Sequence, residues 1–392
     1  MITETTQLFA LLAGVLGLVF WLSTLPALSK FFKIMPPVIW AYFVPMILTT
    51  AGIIPAQSEV YSWMSRYLLP FSLFLLMITV DLRAILKLGR MAIIMMLVGT
   101  AGIVIGGPIA FAMFSSFLPA DAWQGLATLS GSWIGGTANL VAMQASVGAS
   151  SEVVGTIIVV DTVVGYGWMG ILIFLSAFQD KFDRWVNADS SAIDRVNKHL
   201  VDAEQSQRPA TLNDLTYILG LGFVVTVVAV AAGGYLPSLG DPTVISATTW
   251  GILLVVTVGL LLSFSPLKKL ESAGASKIGF LALYLLLTSI GAQADLAAIL
   301  EAPMYLVTGI VWISIHVGLL LIAAKIIRAP LFFVATGSMA NVGGAASAPI
   351  VASVYHPSMA PVGLLMGISG YILGIYAALG CAWMLGQLSV ML

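Results

Sequence analysis

Ser130-Gly-Ser-Trp-Ile-Gly-Gly-Thr-Ala-Asn139 has a counterpart 208 residues further on, Ser338-Met-Ala-Asn-Val-Gly-Gly-Ala-Ala-Ser347. The same offset applied over 127–155 gives nine identities in 29 ungapped positions, among them Ala127/Ala335, Thr128/Thr336 and Gly155/Gly363. So biased a composition would supply roughly two or three by chance. A second echo lies upstream, where Asp81-Leu-Arg-Ala-Ile-Leu86 matches Asp295-Leu-Ala-Ala-Ile-Leu300 at five of six positions. The chain reads as a duplicated unit, and a Gly-Gly pair sits at the same place in each copy. Paired glycines release the backbone from helical dihedrals, and Ser, Thr and Asn around them supply small polar groups.

The surroundings of these segments are those of a membrane protein. Of 392 residues 60% are hydrophobic and 8% charged, against about 25% charged in a soluble domain. A net charge of -1 offers no field for nucleic acid. The single Cys381 excludes an internal disulfide, and His199, His316 and His356 lack metal-site spacing. Met1–Thr6 carries Glu4 and no Lys or Arg, so the apolar run after it is expected to be a retained membrane helix rather than a cleaved leader.

Apolar runs long enough to cross a bilayer fall at 7–28, 37–54, 63–80, 91–117, 122–148 and 152–177, then at 212–234, 243–264, 276–293, 303–325, 331–353 and 359–388. Between the two sets lies 178–211, which holds 11 of the 33 charges. Its Phe182, Trp185, Val186, Ile193, Val196 and Leu200 recur at near-helical spacing, as in an amphipathic surface helix, with a solvated flexible loop as the alternative.

Lys and Arg accumulate on the cytoplasmic side of short loops. If 122–148 and 331–353 each enter and leave on one side, and the N-terminus is outside, 15 of the 16 basic residues are cytoplasmic and only Arg66 is outside. If both segments crossed, only Lys30, Lys33, Arg83, Lys87 and Arg90 would be inside. The expected fold is therefore an all-α polytopic membrane protein. It has two inverted repeats, each of five transmembrane helices plus one re-entrant, broken hairpin: 1–177 (hairpin 122–148), a cytoplasmic linker 178–211, and 212–392 (hairpin 331–353). Both termini fall outside, and the bacterial inner membrane is the expected location.

Non-helical backbone at membrane depth survives where it is buried in protein or lines a wet cavity, so the tips are the candidate solute site: Ser132, Gly135, Gly136, Thr137, Asn139, Ser338, Asn341, Gly343, Gly344 and Ser347, with Gln144 a weaker candidate. Asp161 is the acidic residue placed well inside a helix. A lone charge there costs at least about 2.5 kcal/mol unless it meets water, a cation or a proton. It is the candidate for cation coupling, with Thr162 beside it and Ser369 at the equivalent position of the second half, and a possible Na+ at Asp161 is the one metal ion expected. Gln293 and His316 read as satisfied packing residues, Asp81 and Asp295 as helix boundaries, and Trp40, Trp63, Trp123 and Trp250 as interfacial anchors.

The segments Gly131–Met143 and Ala335–Pro349 resemble those of the YjcL-like family of uncharacterised membrane proteins (domain of unknown function 819), whose name carries no substrate. More remotely the plan is similar to the glutamate:sodium and citrate:sodium symporters of the bile-acid symporter and cation:proton antiporter-like superfamily. That resemblance implies Gly-Gly hairpins lining the site, an elevator-type movement and a homodimer. Those families carry a further Gly shortly after the pair, where this chain has Thr137 and Ala345.

The expected function is Na+- or H+-coupled secondary transport of a small organic solute: a monocarboxylate, amino acid or short peptide. With no Lys or Arg at membrane depth, a polyanion has no fixed countercharge. The alternative is a monovalent cation:proton antiporter using Asp161. An intramembrane Ser/His protease built on His316 is disfavoured, since no Gly-x-Ser-x-Gly turn is present. No cofactor and no nucleic-acid partner is expected; the partners are solute, coupling cation, lipid and a second copy. The mostly aliphatic pairs 7–54 and 212–264 are the expected scaffold.

Overall fold

The computed structural model describes residues 1–34, 36–188, 208–294 and 302–392. The first half consists of α1 (Thr5–Ser23), α2 (Ser29–Ile34), α3 (Pro37–Thr50), α4 (Glu59–Ile78), α5 (Leu82–Leu86), α6 (Arg90–Phe114), α7 (Ala122–Val147) and α8 (Ser151–Leu175). Then come α9 (Gln179–Val186), α10 (Leu212–Gly233), α11 (Ala247–Leu262), α12 (Ala275–Ala292), α13 (Ala302–Ile327), α14 (Leu331–Val342), α15 (Gly344–Tyr355) and α16 (Ala360–Met391). Several helix starts fall where short polar side chains cover free amides. Ser150 accepts from Val153 N, and reciprocal capping boxes Thr211/Asp214 and Ser246/Thr249 open α10 and α11. Asp81 is a boundary residue, accepting Ala84 N at 3.0 Å and pairing with Lys268 at 2.5 Å; its echo Asp295 lies outside the described residues.

Seven of the described helices are long and apolar enough to cross a membrane, and up to nine if each of two sharply bent pairs is one span. The ten crossings read from the sequence also include α4, whose first half carries Glu59, Ser62, Ser65 and Arg66. The amphipathic stretch of the linker is realised as α9, with Val186 buried; Ile193, Val196 and Leu200 lie outside the described residues. Of the tryptophans expected as anchors, Trp63 is exposed, but Trp123 is buried against α16 at Gly386, so that expectation is corrected. The indole and the Pro242 ring, 3.5 and 3.0 Å from where a Gly386 Cβ would stand, together fill the space that the glycine leaves on α16.

The decisive feature is that two segments double back. A straight helix over α7 would hold its ends roughly 35 Å apart, yet Gln124 Nε2 donates to Val147 O at 2.9 Å. The reversal occurs at Gly135 (φ -143°, ψ 17°) and Gly136 (φ 72°, ψ -170°), the latter a backbone state open essentially to glycine alone. In the second half Gly343 separates α14 from α15, Gly344 opens α15 at φ 59°, and Phe332 and His356 at the far ends meet at a ring distance of 5.4 Å. We call these hairpin 1 (α7) and hairpin 2 (α14–α15).

Both hairpins lie along α16, a helix of 32 residues. A Cβ at Gly363 would stand 2.5 Å from Ala348 O, at Gly367 2.6 Å from Ala345 Cα, at Gly370 2.3 Å from Ile134 O and at Gly374 3.1 Å from Gly135 Cα. Reading along α16, the arm of hairpin 2 comes first, then its tip, then the tip of hairpin 1, and finally Trp123 at Gly386. The hairpins thus approach from opposite ends of one helix, and their tips meet midway. A Cβ at Gly344 would be 3.8 Å from Gly136 Cα.

The remaining helices sort into two groups. In one, α4 packs on α12, α3 on α12, α11 on α4 and α10 on α11; in the other, α6, α8, α13 and α16 surround the hairpins. Thus α4 and α12 join the four helices expected from the sequence to form a scaffold-like group. Within the second group α6 and α13 run antiparallel, since Gly99 faces His316 while Gly106 faces Trp312.

Candidate functional site

Three and two residues before the break in hairpin 1, Ser132 and Trp133 point at Asp161, the carboxylate midway along α8. Ser132 Oγ donates to Asp161 Oδ2 at 2.7 Å and Trp133 Nε1 donates to Asp161 Oδ1 at 2.9 Å. Trp133 is fully buried and packs edge-on against Trp312 at 5.1 Å, which holds the indole N–H in line. One turn beyond Asp161, Gly165 leaves room for Val342, the residue just ahead of the hairpin 2 break. Asp161 therefore stands beside both tips. Its two donors are neutral, and among the described residues no Lys or Arg pairs with it. The hydrogen bonds satisfy lone pairs and supply no countercharge.

Asp161 and Ser132 are among the residues expected from the sequence; Trp133 is an addition that the structure makes. The signal was present: an indole at membrane depth needs an acceptor for its N–H, and Asp161 is an acidic side chain midway along a neighbouring helix. The other two coupling candidates are not brought to the carboxylate by a hydrogen bond. Thr162 Oγ1 donates to Ile158 O and Ser369 Oγ to Met366 O, each within its own helix.

Ser338 and Asn341, on the first arm of hairpin 2, face α6, α8 and α13. Ser338 Oγ accepts from Trp168 Nε1 at 2.8 Å and lies 2.8 Å from His316 Nε2, while His316 Nδ1 lies 2.9 Å from Gly99 O. A carbonyl only accepts, so Nδ1 carries the hydrogen and Ser338 donates to Nε2. Asn341 takes a hydrogen bond from Thr100 Oγ1 at 2.8 Å and donates to Met96 O and Gly337 O. Both side chains are fully buried and bind hairpin 2 to its surroundings, and His316 is a satisfied interior residue. Gln293 likewise donates to Ser289 O.

On hairpin 1, Asn139 donates to Gly135 O and to Tyr371 O at 3.3 and 3.4 Å, tying the tip to α16. Gly135, Gly136, Gly343 and Gly344 form the two reversals themselves, with Thr137 partly accessible just after the first and Ser347 packed on Gly343 in the second. The glycine stripe of α16, Gly363, Gly367, Gly370 and Gly374, is a further part of the site, and its spacing of four, three and four residues marks one helix face.

Hairpin 2 is held at its base by α9. Pro330 precedes α14 and has no side chain to cap it, and Asp183 Oδ1 accepts Leu331 N at 2.8 Å in its place. At the other foot Gln179 Nε2 meets His356 Nε2 at 3.2 Å, and Lys325 donates to Trp185 O while lying over the Trp185 ring at 4.8 Å. Replacing Asp183 by Ala is expected to lower stability by about 1 kcal/mol and to speed proteolysis near 328–331. Thermal unfolding and limited proteolysis of the purified protein check both.

Helices of this length and polarity, wrapped around two doubled-back segments, define a polytopic α-helical membrane protein. The chain belongs to the family described as protein of unknown function (DUF819), whose sequence profile matches residues 10–388. It is similar to the uncharacterized membrane protein YjcL of Bacillus subtilis (strain 168), with 27% identity over 344 residues, covering 84% of this chain and 85% of that protein.

Proposed function

We propose that this protein is a cation-coupled secondary transporter of a small organic solute, with its site where the two hairpin tips meet Asp161. The observation that carries the reading is the Asp161 carboxylate, with no countercharge among the described residues, beside two helix breaks. An ionisable group at this depth pairs with a cation, a proton or a countercharge, and Ser132 and Trp133 supply hydrogen bonds without supplying charge. Broken segments facing one another near the middle of a membrane are how secondary transporters build a solute site from repeats.

The helix pairing supports two inverted repeats. The pair α3·α12 corresponds to α11·α4 when the halves are exchanged, and α4·α12 and α6·α13 map onto themselves. Repeats related by an axis in the membrane plane place such self-paired helices antiparallel, as α6 and α13 are. The scaffold-like group and the hairpin group give the alternating-access movement two bodies, with α16 carrying both tips. On this reading α9 and 178–211 are cytoplasmic.

Stability measurements on the purified protein test the proposal, because a ligand that binds only the folded state raises the apparent midpoint. Na+ or a lower pH is expected to raise it, and one member of a panel of monocarboxylates, amino acids and short peptides to raise it further only when that cation is present. A cation response that no solute augments, joined to Na+ or K+ flux against a pH gradient in solute-free vesicles, would show an antiporter instead.

A further inference from the structure

Arg66 is the one basic residue that the charge pattern places outside, and the fold gives it a setting. Two turns into α4, it lines a cavity of about 480 Å³ between α4, α10, α11 and the second arm of hairpin 1. That volume lies within the range of small-molecule pockets. The α4 wall presents Ser62, Ser65 and Arg66, and hairpin 1 contributes Ala145. Opposite, Ala247 and Thr248 open α11, where the Ser246/Thr249 capping box leaves the first amides of the helix free and the helix dipole is positive. Thr249 Oγ1 reaches Ser146 O at 3.3 Å, which closes the wall between α11 and the hairpin. Arg66 rests on the Tyr67 ring at 5.6 Å, and among the described residues no carboxylate pairs with it.

We infer that this cavity is an outer receiving site for a solute bearing one carboxylate, held by Arg66 and the start of α11. The inference rests on the transporter reading and narrows its substrate class. A planar guanidinium takes a carboxylate through two parallel hydrogen bonds, the Ser62, Ser65 and Thr248 hydroxyls are placed to add others, and one guanidinium with one helix end balances a monoanion rather than a polyanion. Through Ala145 the cavity abuts the arm that leads to the hairpin 1 tip, so a bound acid would stand on the approach to the site at Asp161.

The test uses the full chain in nanodiscs of neutral phosphatidylcholine. The probes are sodium lactate and N-acetylalanine, each against its neutral amide, at constant Na+ and ionic strength. The acids, at about ten times their half-saturating concentration, are expected to raise the unfolding midpoint by about 1–2 °C, and the amides to leave it unmoved. Arg66→Gln should raise the half-saturating acid concentration at least about tenfold, Arg66→Lys should fall between, and both should keep the wild-type response to Na+. If Arg66→Gln does not fold, Thr248→Val and Ser62→Ala carry the same comparison with smaller losses. Equal effects of acid and amide, or an undiminished response in Arg66→Gln, would overturn the inference. So would a shift that only phosphatidylglycerol produces, since that would make the cavity a lipid headgroup seat. A wild-type protein deaf to Na+ but responsive to acids through Arg66 would sink the coupling reading and leave this site standing.

Discussion

Asp161→Asn is expected to abolish the stabilisation by the coupling cation and, with it, cation-driven uptake, while the protein still folds. Asn is nearly isosteric with Asp. Trp133 Nε1 can only donate, so the Asn oxygen turns to it, and the Asn amide then faces Ser132, whose hydroxyl can reverse and accept. Geometry and hydrogen bonds survive and the charge is lost, which removes the one feature that calls for a cation. At least about a tenfold loss of apparent cation affinity follows from losing a charged partner. The measurement is the Na+ and pH dependence of the unfolding midpoint for wild type and variant. An unchanged Na+ response in a folded Asp161→Asn protein would remove the coupling site.

The second large effect is structural. Gly370→Ala places a Cβ 2.3 Å from the Ile134 carbonyl oxygen, a backbone atom that cannot swing aside, whereas Gly374→Ala meets the Asn139 side chain at 2.0 Å, which can. Overpacking of this kind costs about 1–3 kcal/mol. We expect Gly370→Ala to sit at the upper end and to push the hairpin 1 tip off α16, and Gly374→Ala to cost less while breaking the Asn139 bond to Tyr371 O. Gly380→Ala, with nothing within 4 Å of its Cβ, serves as the control and should leave the midpoint unchanged or slightly raised by the better helix propensity of Ala. Thermal unfolding of the three variants orders them, and equal midpoints would mean that α16 does not grip the tips.

These residues also show what the sequence made legible. The hairpin breaks could be read because the Gly-Gly pair recurs at a fixed offset, and helix limits because apolar runs end at polar residues or glycine; 152–177 became Ser151–Leu175 behind the Ser150 cap, and 276–293 became Ala275–Ala292 behind Gly274. Asp161 stood out by cost alone. Its partner Trp133 did not, because a contact across 28 residues depends on how hairpin 1 is rotated. The same rotation decides that Ser338 and Asn341 face inward to His316 and Thr100, a choice that composition does not encode. The stripe Gly363, Gly367, Gly370 and Gly374 was visible as spacing, but its meaning required the two tips to lie against it.

The central claim is that the hairpins enter from opposite faces of the membrane and meet at Asp161. In a Cys381→Ser background, single cysteines at the exposed feet, Ala120→Cys before hairpin 1 and Ser358→Cys after hairpin 2, can be challenged with a membrane-impermeant maleimide on intact cells. The account predicts labelling of Ala120→Cys and protection of Ser358→Cys until the membrane is opened. Labelling of both feet from the same side would contradict it.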